Sequence, residues 1–181
     1  TLEMLLDANG GFGFLEMNTR LQVEHGVTEA VTGVDLVQAQ IRSAQGERLD
    51  AILPAHIEVT GHAIEARVCA EDPVRFFPSS GNLRVFRPPS GVRVETGYGQ
   101  GCQVTPFYDS LLAKVIAHGD DRAQATARLE EALAAFEVVG VKTNIPAIRR
   151  VLACEEFAQG DVHTGLLAAV LNRDARQEKA A

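Results

Sequence analysis

Short β-prone runs separated by tight turns fill the middle of the chain, and that punctuation limits the folds open to it. Residues 63–69, 83–86, 92–95, 102–105 and 111–118 are rich in apolar and β-branched side chains. Between them, Pro88-Pro89, Ser90-Gly91 and the glycines from 97 to 101 break the chain. Strands joined by turns this tight leave no room for the long crossovers of a parallel sheet, so they pair antiparallel, as a sheet or a small barrel. A different period follows. Asp121 with Gln124 is a capping-box-like start for a helix that carries Ala125, Leu129, Leu133 and Phe136 at helical spacing and should end by Gly140. Further helices are predicted over 145–152 and 165–171, and the tail from Arg173 to Ala181 is predicted to fray.

The N-terminal stretch has its own pattern. Leu2, Met4 and Leu6 alternate, Asn9-Gly10-Gly11 turns the chain, and residues 12–17 return, which predicts a hairpin. Asp35 caps a predicted helix reaching Gln45, with Gly46 as its stop. Pro54 and a shift to β-branched residues set a boundary near 47–56, so the expected domains are 1–50 and 51–181. A sheet that opens with this hairpin lacks earlier partner strands, and the chain is expected to be truncated on its N-terminal side.

At 181 residues the chain can form one domain, or a domain plus a fragment of another. A net charge of −7 argues against nucleic acid or an anionic membrane surface as partner. Hydrophobic content of 46% is that of an ordinary globular protein, with no apolar run of membrane-spanning length and no signal-peptide pattern at the start. Cys69, Cys102 and Cys154 are isolated and lack metal-like spacing, which predicts free thiols in a cytoplasmic protein.

The chemistry concentrates between residues 16 and 24, Glu-Met-Asn-Thr-Arg-Leu-Gln-Val-Glu. On an extended chain Glu16, Asn18, Arg20, Gln22 and Glu24 would all face one side. Carboxylate and amide oxygens suit magnesium, and the planar guanidinium of Arg20 suits a carboxylate, bicarbonate or phosphate. An amphipathic edge strand with a solvated polar face fits the same spacing.

Residues 16–29, continuing as Ala30-Val31-Thr32-Gly33-Val34-Asp35-Leu36-Val37, closely resemble the signature of biotin carboxylases, the ATP-grasp enzymes that carboxylate biotin. Further segments resemble the same family in the same order. They are Gly61-His62-Ala63-Ile64-Glu65-Ala66-Arg67 with Glu71-Asp72-Pro73, then Pro78-Ser79-Ser80-Gly81, then the run from Tyr108 to Val115, then Gly140-Val141-Lys142-Thr143-Asn144. The resemblance implies an α+β fold: the end of an ATP-grasp sheet, as hairpin plus helix, followed by an antiparallel β-rich biotin carboxylase C-terminal domain with C-terminal helices. It also implies ATP with Mg2+ or Mn2+ as cofactors and biotin as a carrier-linked substrate. The implied partners are a biotin carboxyl carrier domain, a carboxyltransferase and a second copy of the chain, with neither nucleic acid nor membrane.

Carried over residue by residue, Glu3, Glu16 and Asn18 are the implied metal ligands. Arg20, Gln22 and the backbone amide of Val23 are the implied bicarbonate pocket, and Glu24 the base that deprotonates bicarbonate for attack on the γ-phosphoryl group, giving carboxyphosphate. An ion pair with Arg20 is the structural alternative for Glu24, and the two roles can coexist. Arg67 is implied to face the enolate-like oxygen of biotin, with an ion pair to Glu71 or to the neighbours of Glu65 as its structural alternative. Leu5 and Thr164 fall at adenine-adjacent positions, and Arg93 in a region that forms a dimer contact in bacterial biotin carboxylases. His25 and His62 are assigned no catalysis, while Tyr108, Asp109 and Lys114 fix loop geometry or packing.

The family's lid and phosphate-holding lysines have no counterpart here. No glycine-rich phosphate loop with a following lysine is present; the glycines from 97 to 101 lie between strands and lack one. The isolated chain is therefore expected not to turn over. A non-catalytic dimerisation or docking module, or another ATP-grasp carboxylate–amine ligase, are the competing readings. The final acceptor, whether an acyl-CoA (acetyl-, propionyl- or methylcrotonyl-), pyruvate or urea, is left open; His25-Gly26-Val27 resembles urea carboxylases, since many acyl-CoA enzymes have proline after the histidine.

Overall fold

Alternation at the N-terminus produces the hairpin it predicts: β1 (Leu2–Leu6) pairs antiparallel with β2 (Phe12–Met17). Its turn is organised one step earlier than the glycines suggest. The Asp7 carboxylate accepts from the amides of Asn9 and Gly11 at 2.7 and 2.9 Å, and these amides, Gly11 foremost, hold its pKa below the ordinary range. The computed structural model describes residues 1–7 and 9–180, with 174–180 as backbone alone. It divides into two compact units, Thr1–Val59 and Thr60–Ala181.

In the first unit the hairpin is followed by α1 (His25–Thr32), α2 (Leu36–Ala44) and α3 (Leu49–Ile52). Helix α2 starts where Asp35 predicts, its carboxylate accepting from the Gln38 amide at 2.7 Å, and it stops at Gln45 before Gly46 turns left-handed at φ +92°. Helix α1 is absent from the sequence reading. Its buried Glu29 accepts from the Leu36 amide at 2.7 Å, so one carboxylate joins the end of α1 to the start of α2.

The second unit opens with β3 (His62–Cys69), then β4 (Gly81–Asn82), β5 (Val85–Arg87), β6 (Arg93–Thr96), β7 (Gln103–Val104) and β8 (Leu111–Gly119). The long strand β8 lies between β3 and β6, both antiparallel to it, while β4 pairs with β7. The predicted antiparallel pattern therefore forms an open sheet plus short ribbons among the described residues. Helix α4 (Arg122–Ala135) packs on β3 and β8. Its cap is reciprocal: Asp121 accepts from the Gln124 amide at 2.8 Å, and the Gln124 side chain accepts from the Asp120 amide at 3.0 Å.

Helix α4 ends earlier than Gly140. The backbone opens at Phe136, which drops into the core edge-on to Phe86 with ring centroids 5.3 Å apart, and β-branched Val138 and Val139 continue as β9 (Glu137–Val139) against β5. Three helices complete the unit: α5 (Ile145–Leu152), as predicted, then α6 (Glu155–Gln159), and α7 (Leu166–Ala180), which extends well past residue 171. The predicted fraying from Arg173 is not seen, since the backbone remains helical to Ala180; Ala181 lies outside the described residues. Leu129 and Leu133 of α4 and Val68 and Val115 of the sheet are at most 1% exposed, and a fully buried side chain of this size contributes roughly 1.5–3 kcal/mol. That core fixes β3, and with it Arg67.

Candidate functional site

Strand register brings the first group of candidates together. Glu3 stands opposite Glu16, but one step on Met4 stands opposite Phe14, so Leu15 is the extra residue of a bulge on β2. Two carboxylates facing across a ladder repel unless something positive lies between them. Here the Asn18 amide does: Nδ2 donates to Glu3 Oε1 at 2.6 Å and to Glu16 Oε1 at 3.1 Å. Asn18 is itself held at both backbone atoms, its N–H donating to the Thr1 carbonyl and its carbonyl accepting from the Thr1 nitrogen, each at 2.8 Å. Two carboxylates converging on one point are a hard-oxygen donor pair, which fits magnesium or manganese, while the Asn18 amide turns its nitrogen to them. Leu5 follows Glu3 on the same face of β1 and is 60% exposed.

The second group meets by a different route from the one the alternation suggests. Strand β2 ends at Met17, residues 18–22 are irregular, and Glu24 turns with φ −83° and ψ 12° into α1. A shared strand face for Arg20, Gln22 and Glu24 is thus incorrect. They converge nonetheless on one cavity of about 670 Å³, whose other wall is α2. Leu36, Ala39, Gln40 and Ser43 line that wall at i, i+3, i+4 and i+7, a helical face legible in the sequence but not used there. Val23 lies in the turn before α1. His25 serves the same turn, Nδ1 contacting the Gln22 carbonyl at 2.8 Å, and Arg20 Nη1 donates to the Leu21 carbonyl at 3.3 Å.

Arg67 and Thr164 belong to the second unit. Thr164 is exposed in the turn before α7. Arg67 is exposed on β3, opposite Lys114, and Lys114 is in turn opposite Glu95 on β6, so the three form one row across the sheet. Lys114 is only 8% exposed and pairs with Glu95, which also pairs with Arg93. Burial pushes the Glu95 carboxyl up, but hydrogen bonds from Lys114 and Arg93 outweigh it and hold the group below its ordinary value. Sequence reading missed this cluster because it depends on the β6–β8 register. Asp109 accepts from the Leu111 amide at 2.8 Å, fixing the loop into β8, and Tyr108 beside it is 82% exposed. Glu71 accepts from the Ser110 hydroxyl at 2.5 Å. Burial, then the Glu71 charge, raises the Cys69 thiol; Cys69, Cys102 and Cys154 are free.

Residues 65–169 match the family profile of the biotin carboxylase C-terminal domain. The chain belongs to that family. Residues 1–52 match a second profile, the carbamoyl-phosphate synthase L chain ATP binding domain. Biotin carboxylase 2 of Bacillus subtilis is 47% identical over 169 residues, covering 92% of this chain and 38% of that protein. Mouse mitochondrial pyruvate carboxylase is 46% identical over 170 residues, covering 91% of this chain and 14% of that protein. Among solved structures, the biotin carboxylase domain dimer of Hydrogenobacter thermophilus 2-oxoglutarate carboxylase, in complex with MgADP, ADP and bicarbonate, superposes with a TM-score of 0.87 at 41% identity, covering 94% of this chain and 39% of that one. The chain thus spans well under half the length of these relatives. The biotin carboxylase C-terminal profile takes in Arg67 and Thr164, and the ATP-binding profile takes in Glu3 through Glu24. No helix among the described residues is long and apolar enough to cross a membrane.

Proposed function

We propose that the chain is the C-terminal portion of a cytoplasmic biotin carboxylase, with residues 1–50 closing an ATP-grasp domain and 51–181 forming the biotin carboxylase C-terminal domain. The observation that carries this reading is the convergence of Glu3 and Glu16 on the Asn18 amide, with Arg20, Gln22 and Glu24 lining one cavity just downstream. Packing alone demands neither arrangement.

Glu3, Glu16 and Asn18 would hold magnesium or manganese, which when bound offsets the negative charge of the nucleotide phosphates. Arg20 presents its guanidinium fork, Gln22 its amide and Val23 its backbone N–H to bicarbonate, a small planar anion that matches such donors. Glu24 takes the bicarbonate proton. The freed oxygen then attacks the γ-phosphorus of ATP, ADP leaves, and carboxyphosphate forms. Arg67 places a positive charge where the ureido oxygen of biotin gains negative charge as the neighbouring nitrogen loses its proton. Leu5 is assigned to contact the adenine, and Thr164 is separately assigned to an adenine-adjacent position. The partners are a biotin carboxyl carrier domain and a carboxyltransferase, and the exposed part of Arg93 belongs to a homodimer contact. The acceptor is chosen by another domain, consistent with relatives named for different acceptors.

The test is to join the chain to the N-terminal remainder of Bacillus subtilis biotin carboxylase 2 and assay biotin-dependent ATP cleavage beside the unaltered relative. The fused protein should turn over, and Arg67→Ala should abolish the biotin dependence. A folded fusion that is inactive while the relative is active overturns the proposal. The 181-residue chain by itself should show no turnover.

A further inference from the structure

Asn144 occupies the N-cap of α5, a position that favours asparagine because its side chain can accept from the first helical turn. It makes no such bond. Asp35 and Asp121, at the same position of α2 and α4, both do. The Asn144 side chain reaches β3 instead: Oδ1 accepts from the Cys69 amide at 2.8 Å, and Nδ2 donates to the Arg67 carbonyl at 3.0 Å. Its backbone N–H adds a third bond, to the Cys69 carbonyl at 3.1 Å. Strand β3 has β8 along one side, and Asn144 supplies ladder-like partners along the other.

The clamp sits where the sheet is irregular. The register of β3 against β8 shifts between Val68 and Cys69, so Val68 faces Ala113 while Cys69 faces Leu111. A bulge of this kind increases local twist and changes the aim of adjacent side chains, which leaves the backbone just after Arg67 in need of outside support. Asn144 grips the strand on both sides of the shift. A residue type suited to capping that forgoes the cap for this contact breaks a local rule, and such breaks cluster at functional sites.

We propose that Asn144 is a positioning residue for Arg67: by bonding the Arg67 carbonyl and the Cys69 amide, it fixes the direction in which the guanidinium leaves β3 towards the ureido oxygen of biotin. This rests on the reading of Arg67 given above. Asn144 touches no reacting atom.

The test uses the fused protein and two rates, biotin-dependent turnover and the bicarbonate-dependent ATP cleavage that proceeds without biotin. Asn144→Ala should lower kcat for the first by about tenfold or more and leave the second within about twofold, because a misaimed charge affects only the step it serves. Asn144→Asp keeps the acceptor for Cys69 but sets a carboxylate oxygen against the Arg67 carbonyl oxygen, so it too should lower the biotin-dependent rate and leave the other within about twofold. Being nearly isosteric, it carries the test if the alanine variant fails to fold. Hydrogen exchange at the Cys69 amide reports release of the clamp. Equal losses in both rates mean a purely structural role and overturn the inference, as does unchanged biotin-dependent turnover in a variant whose Cys69 amide exchanges faster. Arg67→Ala separates the two claims: if it spares biotin-dependent turnover, the reading of Arg67 fails; if it abolishes that turnover while both Asn144 variants keep it, only the positioning role fails.

Discussion

Replacing Gly140 by alanine should destabilise the second unit far more than the same change at Gly91, and the difference can be worked from local geometry. Gly140 leads from β9 towards Asn144 with φ +123°, a backbone region that residues with a Cβ rarely enter. A methyl there would lie 1.8 Å from the Asn82 carbonyl oxygen, 3.0 Å from its carbon and 3.2 Å from the Arg84 nitrogen. All three are backbone atoms of the β4–β5 segment, so no side chain can swing aside and packed backbone must move. Backbone strain costs roughly 1–3 kcal/mol. Overpacking adds roughly 1–3 kcal/mol, giving an expected loss of about 4 kcal/mol. Gly91 also has positive φ, +79°, but nothing lies within 4 Å of its would-be Cβ. Only strain applies there, about 1 kcal/mol. Urea unfolding followed by tyrosine fluorescence isolates the relevant unit, because the chain has no tryptophan and both of its tyrosines, Tyr98 and Tyr108, lie beyond residue 60. Equal losses at the two positions, or a Gly140→Ala loss under about 1 kcal/mol, would refute the steric reasoning.

Further outcomes follow from single contacts. Asp121→Ala removes the side-chain cap of α4 and should cost about 1 kcal/mol in the same unfolding assay, with no change at all counting against the capping role. Glu156 is held down to about 2 by the Arg173 guanidinium, below its ordinary 4.5. Because the folded-state value is the lower one, this pairing stabilises fully above about pH 4.5 and is lost as pH falls towards 2. The stability gap between wild type and Arg173→Gln should therefore be open near neutrality and close through that window, and a gap that widens on acidification contradicts the pairing. Glu16→Gln should weaken Mn2+ binding to the fused protein by about tenfold or more, read by electron paramagnetic resonance, and unchanged affinity would remove Glu16 from the donor set.

Much of this architecture is legible because its signals are local. Asp35 with Gly46, Asp121 with Gln124, and Asn9-Gly10 each announce a boundary within a few residues, and α2, the start of α4 and the hairpin form where they point. Helix α1 was hidden by the polar residues just before it, whose alternate spacing mimics a strand although the chain leaves the sheet at Met17. Strand β9 was hidden because Phe136 continues the helical spacing of α4 yet is buried from an extended backbone. The facing of Glu3 and Glu16 could be anticipated from a hairpin, but the bulge at Leu15 that sets it could not. The Lys114–Glu95–Arg93 pairing and the grip of Asn144 on β3 join residues far apart in sequence and depend on the register of completed sheets.

The central claim is that residues 16–24 activate bicarbonate, with Glu24 as the base. Fixation of radiolabelled bicarbonate into biotin by the fused protein, compared with its Glu24→Gln variant, tests this most directly. Glu24 is exposed and Gln keeps the length and shape of its side chain, so the variant should fold as the parent does. Losing a general base should then lower fixation by about 100-fold or more. Fixation within about a factor of two of the parent, in a variant of unchanged stability, would contradict the account.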